Sequence, residues 1–242
     1  MIIEFTGSSG AGKTAICGSL YRLMRNREKR VVAVHQDAAE TSLLPVPLRD
    51  PTRFNIQTDL FLAPWVAAFS LRHPRFAAFV AASVVMSDEP IAEKLAIFRS
   101  IWKKMGLFQY LSRREFKNMI VLVDEGLVHI AHNILVSPHR APDMARVEQF
   151  STLITLPDQV ILLHSPAATA KVRVHLRGNA SPRIKRPEVL SIFLERAEAV
   201  FHRMSVAPRL QPVLTSVDTS TLSVEDIAAR LYRTLCPEDQ LA

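Results

Sequence analysis

Five short runs of apolar residues stand out along the chain: Ile2 to Phe5, Val31 to His35, Met119 to Val123, Gln159 to His164 and Val213 to Val217. Each has the length of a strand, and the second, third and fourth are too nearly continuous in apolar residues to leave one face in water, so the pattern predicts a sheet of buried strands. Between the first two runs, Ile16, Leu20, Leu23 and Met24 recur at helical spacing and predict a helix over residues 15–25. Near the end, Ser223 followed by Glu225 and Asp226 has the form of a helix start, and Ile227, Leu231 and Leu235 continue it as an amphipathic helix. The stretch of about eighty residues between the second and third strands reads mainly as helices with loops at its prolines. Within it, Leu60 to Met86 is apolar enough to suggest a membrane span, but Arg72-His73-Pro74-Arg75 divides it into halves too short to cross a bilayer. Core helices are the expectation there, weighed against an amphipathic segment that touches a lipid-linked substrate.

Short buried strands alternating with helices imply a parallel sheet covered on both faces, with ligands bound at the carboxyl ends of the strands. Polar clusters gather at those ends: a glycine-rich loop after the first strand, Asp37 after the second, and Asp124-Glu125 after the third. At 242 residues, 48% hydrophobic and 22% charged, the composition excludes disordered, collagen-like and disulfide-scaffold classes. No linker or internal repeat divides the chain, so a single domain over 1–242 is expected. Two cysteines, Cys17 and Cys236, are too few for a disulfide framework, and the N-terminus shows no export signal, which together point to the cytoplasm. Thirty basic against 23 acidic residues give a net charge of +7, which favours polyanionic partners without choosing among them.

The loop makes the choice. Gly7-Ser8-Ser9-Gly10-Ala11-Gly12-Lys13-Thr14 fits G-x-x-x-x-G-K-[ST] at every fixed position, and it lies between a strand and a helix as that motif requires. Backbone N–H groups of Ser9, Gly10, Ala11, Gly12, Lys13, Thr14 and Ala15 are expected to surround the phosphates of ATP, aided by the positive end of the following helix. Lys13 would reach the β- and γ-phosphates, and Thr14 would ligate Mg²⁺. Asp124 and Glu125 end the third strand as Walker B acids do, one carboxylate holding the metal and a neighbour orienting the nucleophile; Asp124 is assigned with Thr14 to Mg²⁺. The competing reading is that these acids only cap the next helix.

After the fourth strand, Arg173 and Arg177 are four residues apart on one helix face, and Arg183 and Arg186 follow a Gly-Asn-Ala-Ser-Pro turn. Such a segment can close over polyphosphate and neutralise charge on a transferred phosphoryl group. The lid is set at 166–187, against the alternative of a solvated basic face or nucleic-acid patch. Aromatic side chains for stacking bases are absent from this segment, so no stable nucleic-acid complex is expected.

On these residues the layout resembles the P-loop nucleoside and nucleotide kinases, the thymidylate-kinase-like branch in particular. The resemblance is sharpest at Gly7 to Thr14, at Arg173 and Arg177, and at Ser216-Val217-Asp218-Thr219-Ser220 with Glu225-Asp226-Ile227. It implies a three-layer α/β/α fold with a five-stranded parallel sheet, the strand bearing Asp124 beside the phosphate-loop strand. It also implies a helical substrate-binding insertion over 37–118 and an arginine-bearing lid. The chain departs from thymidylate kinases in holding Asp124-Glu125-Gly126 and Gln36-Asp37-Ala38 where that branch has Asp-Arg-Tyr and Arg-Glu-Pro, so the acceptor is left unassigned. The resemblance nominates Asp37, Glu40 or Glu125 to orient the acceptor, and Arg53 and Arg183 as further substrate contacts. The expected activity is transfer of the γ-phosphoryl of Mg-ATP to an unidentified small molecule, with phosphorylated and lipid-linked acceptors among those left open, and a homodimer left open as well. The catalytic set is Lys13, Asp124, Glu125, Arg173 and Arg177. Two readings compete with it: a nucleotide-hydrolysing switch or accessory ATPase in which Glu125 positions water for a protein or nucleic-acid partner, and a module that binds nucleotide without turnover. A zinc site at His129, His132 and His139 lacks an evident fourth partner.

Overall fold

In the computed structural model, residues 1–34, 56–176 and 187–237 are described. Five strands, β1 (Ile2–Gly7), β2 (Val31–Val34), β3 (Ile120–Asp124), β4 (Gln159–His164) and β5 (Leu214–Asp218), form one sheet in the order β2-β3-β1-β4-β5. Every pairing is parallel. The helices among the described residues are α1 (Lys13–Asn26), α2 (Ile56–Arg72), α3 (Pro74–Val85), α4 (Ile91–Leu111), α5 (Ile130–Leu135), α6 (Met144–Leu153), α7 (Ala167–Leu176), α8 (Pro187–Ser205) and α9 (Val224–Leu235).

The sheet separates two layers because its strands alternate. Ile3 and Phe5 of β1, Leu122 of β3 and Ile161 and Leu163 of β4 pack on one face against Ile16, Leu20 and Met24 of α1 and Ile227 and Leu231 of α9. Both cysteines are free and buried in this layer. On the other face, Val160 and Leu162 of β4 join Phe193, Leu194 and Phe201 of α8 and Phe150 of α6. Farther along the same face, Val32, Val34, Val121 and Val123 meet Leu62 of α2 and Leu107 and Leu111 of α4. The three-layer α/β/α architecture is as the sequence implies, with β3 beside β1 and the helices α2, α3 and α4 between β2 and β3.

Element boundaries shift where pairing or capping decides them. β1 continues past Phe5 because Thr6 and Gly7 pair with Leu162 and Leu163 of β4, and β3 continues to Asp124 because that residue pairs with Phe5. α1 begins at Lys13, two residues before the start that the apolar spacing predicts, because Gly12 caps it with φ of 86°. The apolar stretch over 60–86 falls into α2 and α3, divided at His73, which caps the helix that Pro74 opens. α9 is capped as expected: Ser223 Oγ accepts the N–H of Asp226 at 3.1 Å. No helix among the described residues is long and apolar enough to cross a membrane.

Candidate active site

The glycine-rich loop turns out of β1 and into α1 under the carboxyl end of the sheet. Gly10 has φ of +81°, and a Cβ there would stand 2.6 Å from the carbonyl oxygen of Ala170 in α7, so both conformation and space demand glycine. The loop is thereby pressed against the helix that carries Arg173. Lys13, opening α1, folds its stem back so that Nζ donates to the carbonyls of Gly7 at 3.1 Å and Ser8 at 3.0 Å. Its ammonium also lies 3.2 Å from Glu125 Oε1.

Thr14 is the next residue, and its hydroxyl donates to Asp124 Oδ2 at 2.6 Å across 110 residues of sequence. Asp124 Oδ1 is buried with no hydrogen-bond partner among the described residues. Burial, then the charge of Glu125, raises the Asp124 carboxyl to about 6, with Lys13 and the Thr14 hydrogen bond opposing. A hydroxyl and a carboxylate oxygen facing each other, with a second carboxylate oxygen unpartnered, are hard oxygen donors of the kind Mg²⁺ takes.

Glu125 follows with its N–H donated to the carbonyl of Phe5 at 3.0 Å and its backbone at φ of 64°, an uncommon conformation outside glycine. Burial alone would raise its carboxyl. His129 and the ammonium groups of Lys13 and Lys104 outweigh that, and hold it well below the usual carboxylate range. His129 Nε2 lies 3.4 Å from Glu125 Oε2, and His129 Nδ1 meets Thr6 Oγ1 at 3.3 Å. Burial holds His129 well below its ordinary value against the pull of Glu125. His132 stacks on His129 with ring centres 4.8 Å apart, and both rings face Phe201. His139, the third member of the imagined zinc set, lies in the exposed segment after α5.

Arg173 reaches the loop from the side. Its guanidinium donates to Thr219 Oγ1 at 3.0 Å, to the Thr219 carbonyl at 2.7 Å and to the Gly10 carbonyl at 3.5 Å. The fork thus fastens α7 to the phosphate loop and to the turn after β5, on the flank of the loop opposite Glu125. Asp37, Glu40, Arg53, Arg177 and Arg183 lie outside the described residues.

Two residues that the pattern did not single out complete the arrangement. Lys104 of α4 donates to Asn133 Oδ1 at 3.2 Å; burial lowers its ammonium, while Glu125 and Glu4 draw it up. Asn133 also lines a cleft between α3, α5 and α6 whose polar walls include Ser83, Ser137 and Arg146. Glu4 lies beneath the turn that carries Glu125. A charged residue inside an apolar strand was the available signal for Glu4, and an ammonium on an otherwise apolar helical stretch was the one for Lys104.

This is the arrangement to set beside known proteins. The chain overlays thymidylate kinase from Ehrlichia chaffeensis over 97% of this chain and 97% of that one, with a TM-score of 0.52 at 11% identity. The fold is that of the P-loop kinases. A shikimate kinase from Acinetobacter baumannii, solved in complex with shikimate, overlaps 98% of this chain and 93% of that one at 14% identity, with a TM-score of 0.40 that adds no argument. No protein-family profile matches the sequence, and no curated protein does. At such identities the P-loop kinase fold is what the likeness establishes, and the chemistry has to be read from the site itself.

Proposed function

We propose that this chain is an ATP-dependent phosphotransferase that moves the γ-phosphoryl group of Mg-ATP to a small-molecule acceptor. The observation that carries the reading is the hydrogen bond from Thr14 to Asp124, made beside a phosphate loop whose lysine rests against the loop's own carbonyls. Thr14 Oγ1 and Asp124 would hold Mg²⁺, which when bound would neutralise charge on the phosphates. The backbone N–H groups of the loop from Ser9 to Ala15 would cradle the phosphates. Lys13, released from the Gly7 and Ser8 carbonyls, would exchange Glu125 for phosphate oxygens.

That exchange gives Glu125 its role. Once Lys13 turns to nucleotide, the carboxylate loses its ion partner while half exposed at the mouth of the site, at 42%. It is then placed to accept the proton of an acceptor hydroxyl, with His129 behind it to fix its second oxygen. Arg173 acts on this reading through the shape of the loop, by holding Gly10 and Thr219 together. The helices α2, α3 and α4, with the cleft that Asn133 joins to Lys104, form the acceptor side.

The same Glu125 would serve to orient water in a nucleotide-hydrolysing protein, which keeps that second reading distinct and testable. ADP release from Mg-ATP, measured for the wild type and Lys13→Ala alone and against nucleosides, nucleoside monophosphates, sugars and polyprenyl alcohols, separates them. Acceptor-dependent turnover that the variant lacks supports the phosphotransferase. Turnover indifferent to every acceptor and raised by nucleic acid or a protein partner supports the hydrolase.

A further inference from the structure

Glu4 is 1% exposed in the central strand of the sheet, on the face opposite the one to which Ile3 and Phe5 point. A carboxylate so placed persists only if its surroundings compensate for lost water. Two backbone groups do so: the N–H of Val128 donates to Oε2 at 3.1 Å, and the N–H of His129 donates to Oε1 at 2.9 Å. Gly126 lies directly on the carboxylate, for a Cβ there would stand 2.7 Å from Oε2. The carboxylate therefore bonds the turn at Val128 and His129 and abuts it at Gly126, and Glu125 stands directly before that turn.

Glu125 is one of two non-glycine residues at positive φ among the described residues. Such a conformation survives where neighbouring contacts over-determine it. Here the N–H of Glu125 is fixed on β1 through the Phe5 carbonyl, and the chain just beyond it is fixed on β1 again through the Glu4 side chain. Both anchors come from adjacent residues of one central strand, which leaves Glu125 little freedom to relax.

We propose that Glu4 is a positioning residue: its carboxylate holds the 126–129 turn so that Glu125 keeps the left-handed backbone that sets its side chain against Lys13. The effect on turnover rests on the phosphotransferase reading; the grip on the turn does not. The charged group that acts on Glu4 is Lys104 from α4; Lys13, Asp124 and Glu125 in turn act on Lys104, and His129 and His132 act on Glu125. Burial raises the Glu4 carboxyl to about 7, although the N–H groups and Lys104 oppose it. The ionised group accepts both N–H bonds, and a protonated one presents a hydroxyl to one of them, so the grip tightens as pH rises through neutrality.

The test uses the full chain as wild type, Glu4→Gln and Gly126→Ala, the last of which pushes on the same carboxylate from the other side. Amide hydrogen exchange at Val128 and His129 is read by NMR beside the β4 amides as an internal standard, and kcat and KM for ATP are followed from pH 6 to 8.5. The expected result is faster exchange at Val128 and His129 in both variants with β4 protection unchanged. In Glu4→Gln, kcat falls roughly tenfold at the high end of the range with KM for ATP nearly unaltered, and the gap closes toward the low end. Unaltered exchange at both amides overturns the proposal, as does a loss of kcat that is equal at every pH and accompanied by loss of β4 protection. If the wild type transfers no phosphoryl group to any acceptor, the phosphotransferase reading fails, while the exchange measurement still decides whether Glu4 grips the turn. Should Glu4→Gln not fold, Gly126→Ala decides by the same exchange.

Discussion

Thr14 and Asp124 meet because Phe5 pairs with Asp124 in the parallel ladder, which brings the end of β3 level with the start of the phosphate loop. Their contact is a charge-assisted hydrogen bond in a part-buried setting, and a divalent cation held there would take lone pairs of the hydroxyl and carboxylate oxygens while the hydroxyl keeps its proton. Without nucleotide, two acids here carry raised pKa values: Asp124 at about 6 against an ordinary 3.8, and Glu4 at about 7 against 4.5. Each binds protons more tightly folded than unfolded, so the unfolded state holds fewer protons between those limits and stability falls as pH rises through them. For Glu4 the loss between pH 4.5 and 7 is on the order of 3 kcal/mol. His129, held below its ordinary value, acts in the opposite sense in the same window, so the decline is read as a difference: chemical denaturation across pH 4 to 8 should show the stability of wild type relative to Glu4→Gln, and relative to Asp124→Asn, falling as pH rises; Asp124→Asn should also remove the dependence of nucleotide affinity on Mg²⁺. A wild-type stability that climbs from pH 4.5 to 7 relative to these variants would contradict these assignments. The phosphate loop was legible because its chemistry is written in eight consecutive residues. Glu4 and Lys104 were not, since 100 positions separate them and only the packing of α4 over β1 and β3 shows that they share a site.

At the scale of elements, the phosphate loop is held from two sides. Gly10 abuts the Ala170 carbonyl of α7, and Arg173 from the same helix bonds the Gly10 carbonyl and both ends of Thr219. Gly10→Ala would place a methyl group against a backbone oxygen at an unfavourable φ, so the loop and α7 must separate. We expect a stability loss of about 1–3 kcal/mol together with weakened nucleotide binding, read by thermal unfolding with and without Mg-ATP. A variant as stable as wild type that binds nucleotide normally would mean that this contact does not shape the loop. Periodicity located the elements well where they are amphipathic, as in α1 and α9. Their ends were decided by features that periodicity does not carry: a left-handed Gly12 before α1, and ladder partners that extend β1 and β3. The arginine-bearing segment shows the same limit, for spacing placed Arg173 on a helix while its partner Thr219 comes from the turn after β5.

Across the whole molecule, one sheet joins a compact layer of α1 and α9 to a broader one in which α8, α6 and α5 meet the helices between β2 and β3. Phe193 of α8 is fully buried in the broader layer and stands edge-on to the His132 ring at 5.2 Å, so core packing and the histidine stack behind Glu125 share a wall. Phe193→Ala should cost about 3–5 kcal/mol in denaturant unfolding and slow turnover besides; a loss of stability with unchanged turnover would separate the core from the site. The strand order follows from chain pattern only in part, because apolar runs predict a parallel sheet without saying which strand lies beside which. The central claim is that the γ-phosphoryl group leaves ATP for an acceptor, and the most direct measurement follows that phosphorus by ³¹P NMR in reactions of Mg-ATP with the acceptor panel. The account predicts a new phosphoester resonance on one acceptor class, absent with Lys13→Ala; γ-phosphorus recovered only as inorganic phosphate, whatever acceptor is present, would contradict it.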